Sequence, residues 1–112
     1  MNFNSDEIEK KYYSISEVAE ILQVNTSLIR FWESEFDIIK PLKNKRGERR
    51  FTPKDIQDLK MIYYLVKEKG FTLEGARDHI KNEGNHTQEK IEMIELLKKL
   101  KYFLITLRNN LE

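Results

Sequence analysis

The sequence contains no cysteine among its 112 residues. This absence excludes disulfide scaffolds, thiolate zinc sites, iron–sulfur clusters and sensing through thiols. The opening stretch, Met1 to Lys11, is polar and acidic, so we expect no signal peptide. No apolar run approaches the roughly 18 residues that a membrane span needs. We therefore expect a cytoplasmic protein with no membrane partner.

The sequence also lacks an excess of charge of one sign. Its 20 basic and 19 acidic side chains give a net charge of +1, so the distribution of the charges matters more than their sum. Between residues 40 and 54 only Glu48 opposes seven basic residues: Lys40, Lys43, Lys45, Arg46, Arg49, Arg50 and Lys54. Basic side chains on a loop suit phosphate oxygens of nucleic acid, because counterion release favours such contacts. The alternative is a solvated hairpin tip.

Two short helices joined by a tight turn are predicted ahead of this basic stretch. Ser16 is expected to cap a first helix through about Gln23, and Asn25 a second helix through about Phe36. Leu28, Trp32 and Phe36 are expected to form the apolar stripe of the second helix. Such a pair is typical of a helix-turn-helix.

A hairpin and two further helices are predicted next. Pro41 and Gly47 exclude a helix and favour a β-hairpin. Thr52 is expected to cap a third helix that Gly70 ends, and Thr72 a fourth helix that ends near residue 84. The third helix has an apolar stripe of Ile56, Leu59, Ile62, Tyr63 and Val66.

A last helix, capped by Thr87 after a linker at 84–86, carries a heptad pattern of apolar residues. We call these residues the seam: Met93, Leu97, Leu100, Leu104, Leu107 and Leu111. Their spacing alternates between four and three residues, as in a coiled coil, and Leu96 and Phe103 widen the apolar face. We expect this face to form a homodimer; the alternative is that the helix packs on its own domain.

The sequence offers little for catalysis or metal binding. His79 and His86 have no second ligand at convincing metal spacing, so we expect both to be structural or solvated. There is neither a glycine-rich phosphate loop nor a nucleophile–base pair. We therefore expect a protein that is not an enzyme and that holds no metal or cofactor.

Three motifs in order resemble the MerR family of bacterial transcriptional regulators. They are Arg30-Phe31-Trp32-Glu33, Gly47-Glu48-Arg49-Arg50-Phe51 and Asp55-Ile56, and residues 13–19 resemble the first helix of the family. The resemblance covers residues 12–84. It implies a mainly α fold, a winged helix-turn-helix of four helices with a small β-hairpin wing, followed by a long coiled-coil helix. The expected domains are a disordered tail at 1–11, the DNA-binding domain at 12–84 and a dimerisation helix at 87–112.

The resemblance also implies roles for particular residues on double-stranded DNA. Arg30 and Phe31 match positions that contact the DNA backbone, Arg49 matches the wing arginine, and Thr26 and Ser27 lie where groove-reading residues are found. The full set of candidate DNA-binding residues is Ser16, Thr26, Ser27, Arg30, Phe31, Lys43, Lys45, Arg46, Arg49 and Arg50. For Arg30 the alternative is a surface arginine paired with Glu33. Trp32 is expected in the core.

For the C-terminal helix the family favours an antiparallel coiled coil between two protomers. No separate ligand-binding domain is expected after it. A dimeric, sequence-specific regulator would bind a near-palindromic operator, with RNA polymerase as a further partner, and activation and repression both stay open. Two alternatives remain: an excisionase-like or chromosome-organising DNA-binding factor, and a protein-interaction module that binds no DNA.

Overall fold

A computed structural model describes residues 11–111. Its elements are α1 (Ile15–Leu22), α2 (Thr26–Glu35), β1 (Leu42–Lys43), β2 (Arg49–Arg50), α3 (Pro53–Tyr63), a π-helical turn (Tyr64–Glu68) and α4 (Leu73–Asn110). The chain divides into two compact units between Arg77 and Asp78. The predicted mainly α fold with a hairpin wing and a long C-terminal helix is confirmed. The tail expected at 1–11 falls outside the described residues except for Lys11.

The first helix begins two residues earlier than predicted, because Ser14 and not Ser16 is its cap. The Ser14 hydroxyl accepts a hydrogen bond from the Glu17 backbone N–H at 3.2 Å, and the Ser14 N–H donates to the Glu17 carboxylate at 3.1 Å. A cap at Ser16 would place Ala19 at the third helical position. Alanine has no carboxylate to accept a hydrogen bond from the N–H of the capping residue. Ser16 is instead an exposed residue of the first turn.

The second helix follows Asn25 directly, which confirms the tight turn. It buries Ile29 and Trp32, and Phe36 directly after it is buried as well, whereas Leu28 is only half-buried, so the predicted stripe began one residue too early. Trp32 lies in the core as predicted, with its ring edge-on to Tyr63 at a centroid distance of 6.3 Å. This packing fixes which face of α2 points away from the core.

The hairpin forms where predicted, and we call residues 42–50 the wing. Leu42 pairs with Arg50 and Lys43 with Arg49 in antiparallel register. The Asn44 side-chain carbonyl accepts backbone N–H groups of Arg46 and Glu48, at 2.9 and 3.0 Å, which closes the turn. Gly47 takes a positive φ of 78° in this turn, a conformation in which glycine carries no Cβ penalty.

The third helix begins as predicted, and it stops before Gly70, whose positive φ of 76° confirms the predicted end. Thr52 and Asp55 form a reciprocal capping box around Pro53 at the first helical position. Beyond Tyr63 the helix widens into the π turn, where Leu65 is buried and the predicted Val66 is only half-buried, as is Tyr63.

Helix α4 is longer than either helix predicted for its span. Thr72 caps it by accepting the Gly75 N–H at 3.0 Å. The backbone leaves helical geometry at Glu83, with φ −135° and ψ 18°, and is helical again from residue 84. The break therefore lies one residue before the predicted linker. Thr87 is no cap: it is buried and shares a 2.5 Å hydrogen bond with His79 Nε2.

Candidate nucleic-acid interface

The outward face of α2 carries four exposed side chains opposite its buried residues. Ser27, Arg30, Phe31 and Ser34 follow each other at helical spacings of three, one and three residues, and all four are exposed. Thr26, at the first helical position, is half-buried. The structure therefore brings three of the predicted DNA-binding residues of this helix onto one accessible face and leaves Thr26 at its edge.

The N-terminus of α2 adjoins this face. Asn25 has the extended backbone of a capping residue, but its side chain makes no capping hydrogen bond. The first backbone N–H groups of a helix have no partner within the helix, and together with the helix dipole they favour a negatively charged group. Phosphate of a nucleic-acid backbone carries such a charge.

The wing presents most of its basic side chains to solvent. Lys43, Lys45, Arg46 and Arg50 are exposed. Lys45 and Arg46 lie at the tip of the turn and Arg50 lies on the second strand. These four positive charges form the basic part of the candidate interface.

Arg49 differs from its basic neighbours because its side chain is engaged within the protein. Its Nε donates a hydrogen bond to a carboxylate oxygen of Glu33 in α2. The two side chains are 28% and 17% exposed. The pair joins the wing to α2, and it gives Glu33 a different partner from Arg30, the partner that the sequence suggested.

A second arginine holds the end of α2. Arg77 donates to the Glu35 backbone carbonyl at 3.1 Å and to the Glu35 carboxylate at 3.0 Å. Sequence reasoning missed both ion pairs. A signal was present, since Glu33 and Glu35 lie in the last turn of α2, where a helix dipole disfavours carboxylates unless a cation is near.

Ser16 stands apart from the other candidates. It is exposed in the first turn of α1, and within residues 11–111 no hydrogen bond or ion pair joins it to α2 or to the wing. Its place among the DNA-binding residues stays a prediction.

The seam lies in the second unit and is exposed in the single chain. The exposed fractions run from 47% at Leu107 to 81% at Leu111, and Leu96 and Phe103 beside the seam are 60% and 61% exposed. Contiguous apolar surface of this kind marks an interaction face in soluble proteins.

The part of the chain that the structure describes has neither a metal-binding cluster nor a membrane-spanning helix. Residues 11–111 contain no group of three or more histidine or acidic side chains placed to hold a metal ion. In the same residues no helix combines the length and the apolarity that crossing a membrane requires.

Comparison with known proteins decides the family. Residues 13–83 match the family described as MerR HTH family regulatory protein. The chain belongs to the MerR family. The match spans α1, α2, the wing, α3 and α4 up to the break at Glu83, so the candidate interface lies within it and the seam lies beyond it.

Two curated regulators are similar to this chain over part of their length. The regulator protein TubY of Clostridium botulinum C phage is 31% identical over 99 residues, which cover 85% of this chain and 41% of TubY. The HTH-type transcriptional repressor CarH of Myxococcus xanthus is 32% identical over 59 residues, 53% of this chain and 20% of CarH. The chain thus spans less than half the length of either relative.

Solved structures share the MerR fold. HiNmlR, a MerR family regulator lacking the sensor domain and crystallised bound to promoter DNA, aligns with a TM-score of 0.52 at 23% identity, covering 86% of this chain and 87% of HiNmlR. A MerR family transcriptional regulator from Bacillus cereus aligns with a TM-score of 0.56 at 22% identity, covering 82% and 75%. At these identities the likeness shows the fold.

Proposed function

We propose that this protein is a dimeric, sequence-specific DNA-binding transcriptional regulator of a bacterial cytoplasm. In each protomer the outward face of α2 enters a major groove and the wing binds the flanking phosphate backbone. Ser27 and the edge residue Thr26 read base edges, whereas Arg30 and Phe31 position the helix on the backbone.

The observation that carries this proposal is the ion pair that connects the exposed face of α2 to the wing. The exposed face of α2 and the exposed basic side chains of the wing belong to elements that the Glu33–Arg49 pair holds together. Two adjacent surfaces, one polar and helical and one basic, can engage a groove and its flanking phosphates at the same time. A solvated hairpin tip would need no such connection to a helix.

The seam supports the dimer. Six exposed apolar residues at heptad spacing need a partner helix, and a second copy of the same seam is self-complementary in a two-fold arrangement. A two-fold dimer would carry two α2 helices and therefore prefer an inverted repeat. Family membership and the promoter DNA bound to HiNmlR support DNA as the other partner. RNA polymerase at the promoter is a further partner in this proposal.

Selection of binding sites from a pool of random duplex DNA tests the proposal. The purified chain should enrich an inverted repeat, because each protomer reads one half-site. The variant for comparison is Arg30→Ala. It removes one proposed contact between α2 and the phosphate backbone of DNA, and it should enrich the same sequence more weakly. The salt concentration is kept low and constant, since phosphate contacts weaken steeply with added salt.

The three outcomes separate the proposal from its rivals. An inverted repeat supports a dimeric specific binder. Enrichment of single half-sites contradicts the dimer and favours a chromosome-organising or excisionase-like factor. No enrichment by a folded protein contradicts DNA binding and leaves the seam as an interaction module.

A further inference from the structure

Glu33 is a carboxylate on an element that we propose binds DNA. It lies in the last turn of α2, a turn without a basic residue, where the negative end of the helix dipole disfavours it. A carboxylate so placed also repels phosphate. The negative charge of Glu33 therefore stabilises neither α2 nor the proposed contact with DNA. Its role must come from the side chain with which Glu33 is paired.

That partner is Arg49, sixteen residues further along the chain on the second strand of the wing. The Arg49 Nε donates to the Glu33 carboxylate, and the pair is mostly shielded from solvent. Because partly buried, charge-assisted hydrogen bonds are stronger than exposed ion pairs, this contact can hold two elements in one geometry.

The wing needs such a contact. Its ladder consists of only two residue pairs, Leu42 with Arg50 and Lys43 with Arg49, and hairpins of this size are marginal alone. The base of the wing is held by Phe51, which is fully buried and bonded to Tyr13. Arg49 is the ladder residue whose side chain reaches α2.

We infer that Glu33 is a positioning residue for DNA binding: through Arg49 it holds the wing at a fixed place beside α2, so that both elements meet the same duplex. Arg49 then serves as the tether and leaves phosphate contact to Lys43, Lys45, Arg46 and Arg50. This inference rests on the proposed function and assigns Arg49 a different task from the one that the family resemblance implies.

Glu33→Gln gives a test in which simple electrostatics predicts the opposite result. Removing a negative charge near DNA should strengthen binding, whereas freeing the wing should weaken it. We expect binding to a duplex recovered from the random pool to weaken by about three- to tenfold. The matched control is Glu48→Gln, which removes the same charge from the exposed wing turn and should bind as tightly as wild type or more tightly.

The salt dependence separates positioning from loss of folded protein. If the wing is freed, the slope of log affinity against log salt falls by about 0.9 for each phosphate contact that is lost. Partial unfolding lowers the active fraction and leaves that slope unchanged. A lower slope for Glu33→Gln therefore supports the inference, and weaker binding at an unchanged slope overturns it.

A double-mutant cycle with Arg49→Gln completes the test. We expect each single variant and the double variant to bind with similar, reduced affinity, because the loss of either charge already weakens the same ion pair. Additive losses would show that Arg49 contacts DNA independently and would overturn the inference, as would unweakened binding by Glu33→Gln. If the wild-type protein enriches no sequence at all, the proposed function itself fails. That result differs from both outcomes that overturn only the inference about Glu33.

Discussion

Tyr13 and Phe51 each donate a backbone N–H to the other's carbonyl oxygen, and both N···O distances are 2.8 Å. This bridge fastens the segment before α1 to the residue after the wing. Both side chains are buried, so the bridge lies against the core. The wing is therefore anchored at its base by backbone bonds and by an aromatic ring.

Phe51→Ala should strongly destabilise the protein. The side chain is fully buried, and truncation leaves a cavity in addition to the lost transfer energy, about 3–5 kcal/mol in total. Denaturant unfolding followed by the fluorescence of Trp32, the sole tryptophan, measures the change. Leu42→Ala, at a wing position that is 56% exposed, is the control and should change stability by at most about 0.5 kcal/mol. Equal losses for the two variants would contradict the anchoring role.

Thr52→Ala should remove the cap of α3. The Thr52 hydroxyl accepts the Asp55 N–H at 3.1 Å, and the loss of such a cap costs about 1 kcal/mol. Thr52→Ser keeps the hydroxyl and should retain most of the stability. Both free energies of unfolding can be measured with the same fluorescence signal. A serine variant as unstable as the alanine variant would show that the methyl group of Thr52, and not its hydroxyl, matters.

Arg30→Ala and Ser27→Ala should change DNA binding in different ways. Arg30 is proposed to contact phosphate, so its loss should weaken binding to all sequences and reduce the salt slope by about 0.9. Ser27 is proposed to face base edges, so its loss should change the preference among selected sites and leave the slope near the wild-type value. Fluorescence anisotropy with selected and random duplexes at several salt concentrations measures both effects. A sequence-dependent loss for Arg30→Ala would reverse the two assignments.

Local signals made much of this fold predictable. Three features depend on residues within a few positions of one another. They are the turn between α1 and α2, the hairpin around Asn44 and Gly47, and the Thr52–Asp55 capping box. The error at Ser16 was also local. Two serines compete for one cap, and only Ser14 has a glutamate three residues later to complete the reciprocal pair.

The parts that escaped prediction depend on tertiary contacts. The partners Arg49 and Glu33 are sixteen residues apart, and Arg77 and Glu35 forty-two, so no helical or strand period links them. Leu65 lies four residues after Met61 and three after Ile62, both buried, so the helical period allows Leu65 as well as Val66 and only the packing of the folded chain decides between them. The sequence alone does not distinguish Arg49, which is paired with Glu33, from the exposed arginines Arg46 and Arg50. The folded structure does, because it shows which side chains are exposed.

Leu100→Asp should convert the proposed dimer to a monomer. Leu100 lies in the middle of the seam, and a carboxylate at that place would have to be buried against apolar side chains of the partner, which costs far more than the lost contact. Tyr102→Asp is the matched control, because Tyr102 is two residues away, 70% exposed and turned by about 200° around the helix from Leu100. Sedimentation equilibrium should give a dimer for the wild type and the control.

The temperature of unfolding provides a second readout of the same variants. When folding and association are linked, Tm rises with protein concentration, and this dependence should disappear in Leu100→Asp alone. The monomeric variant should also bind single half-sites more weakly than the dimer binds an inverted repeat, since it loses the second α2 helix. A wild-type chain that sediments as a monomer at all concentrations would contradict the dimer, and the seam would then be a face for a different protein.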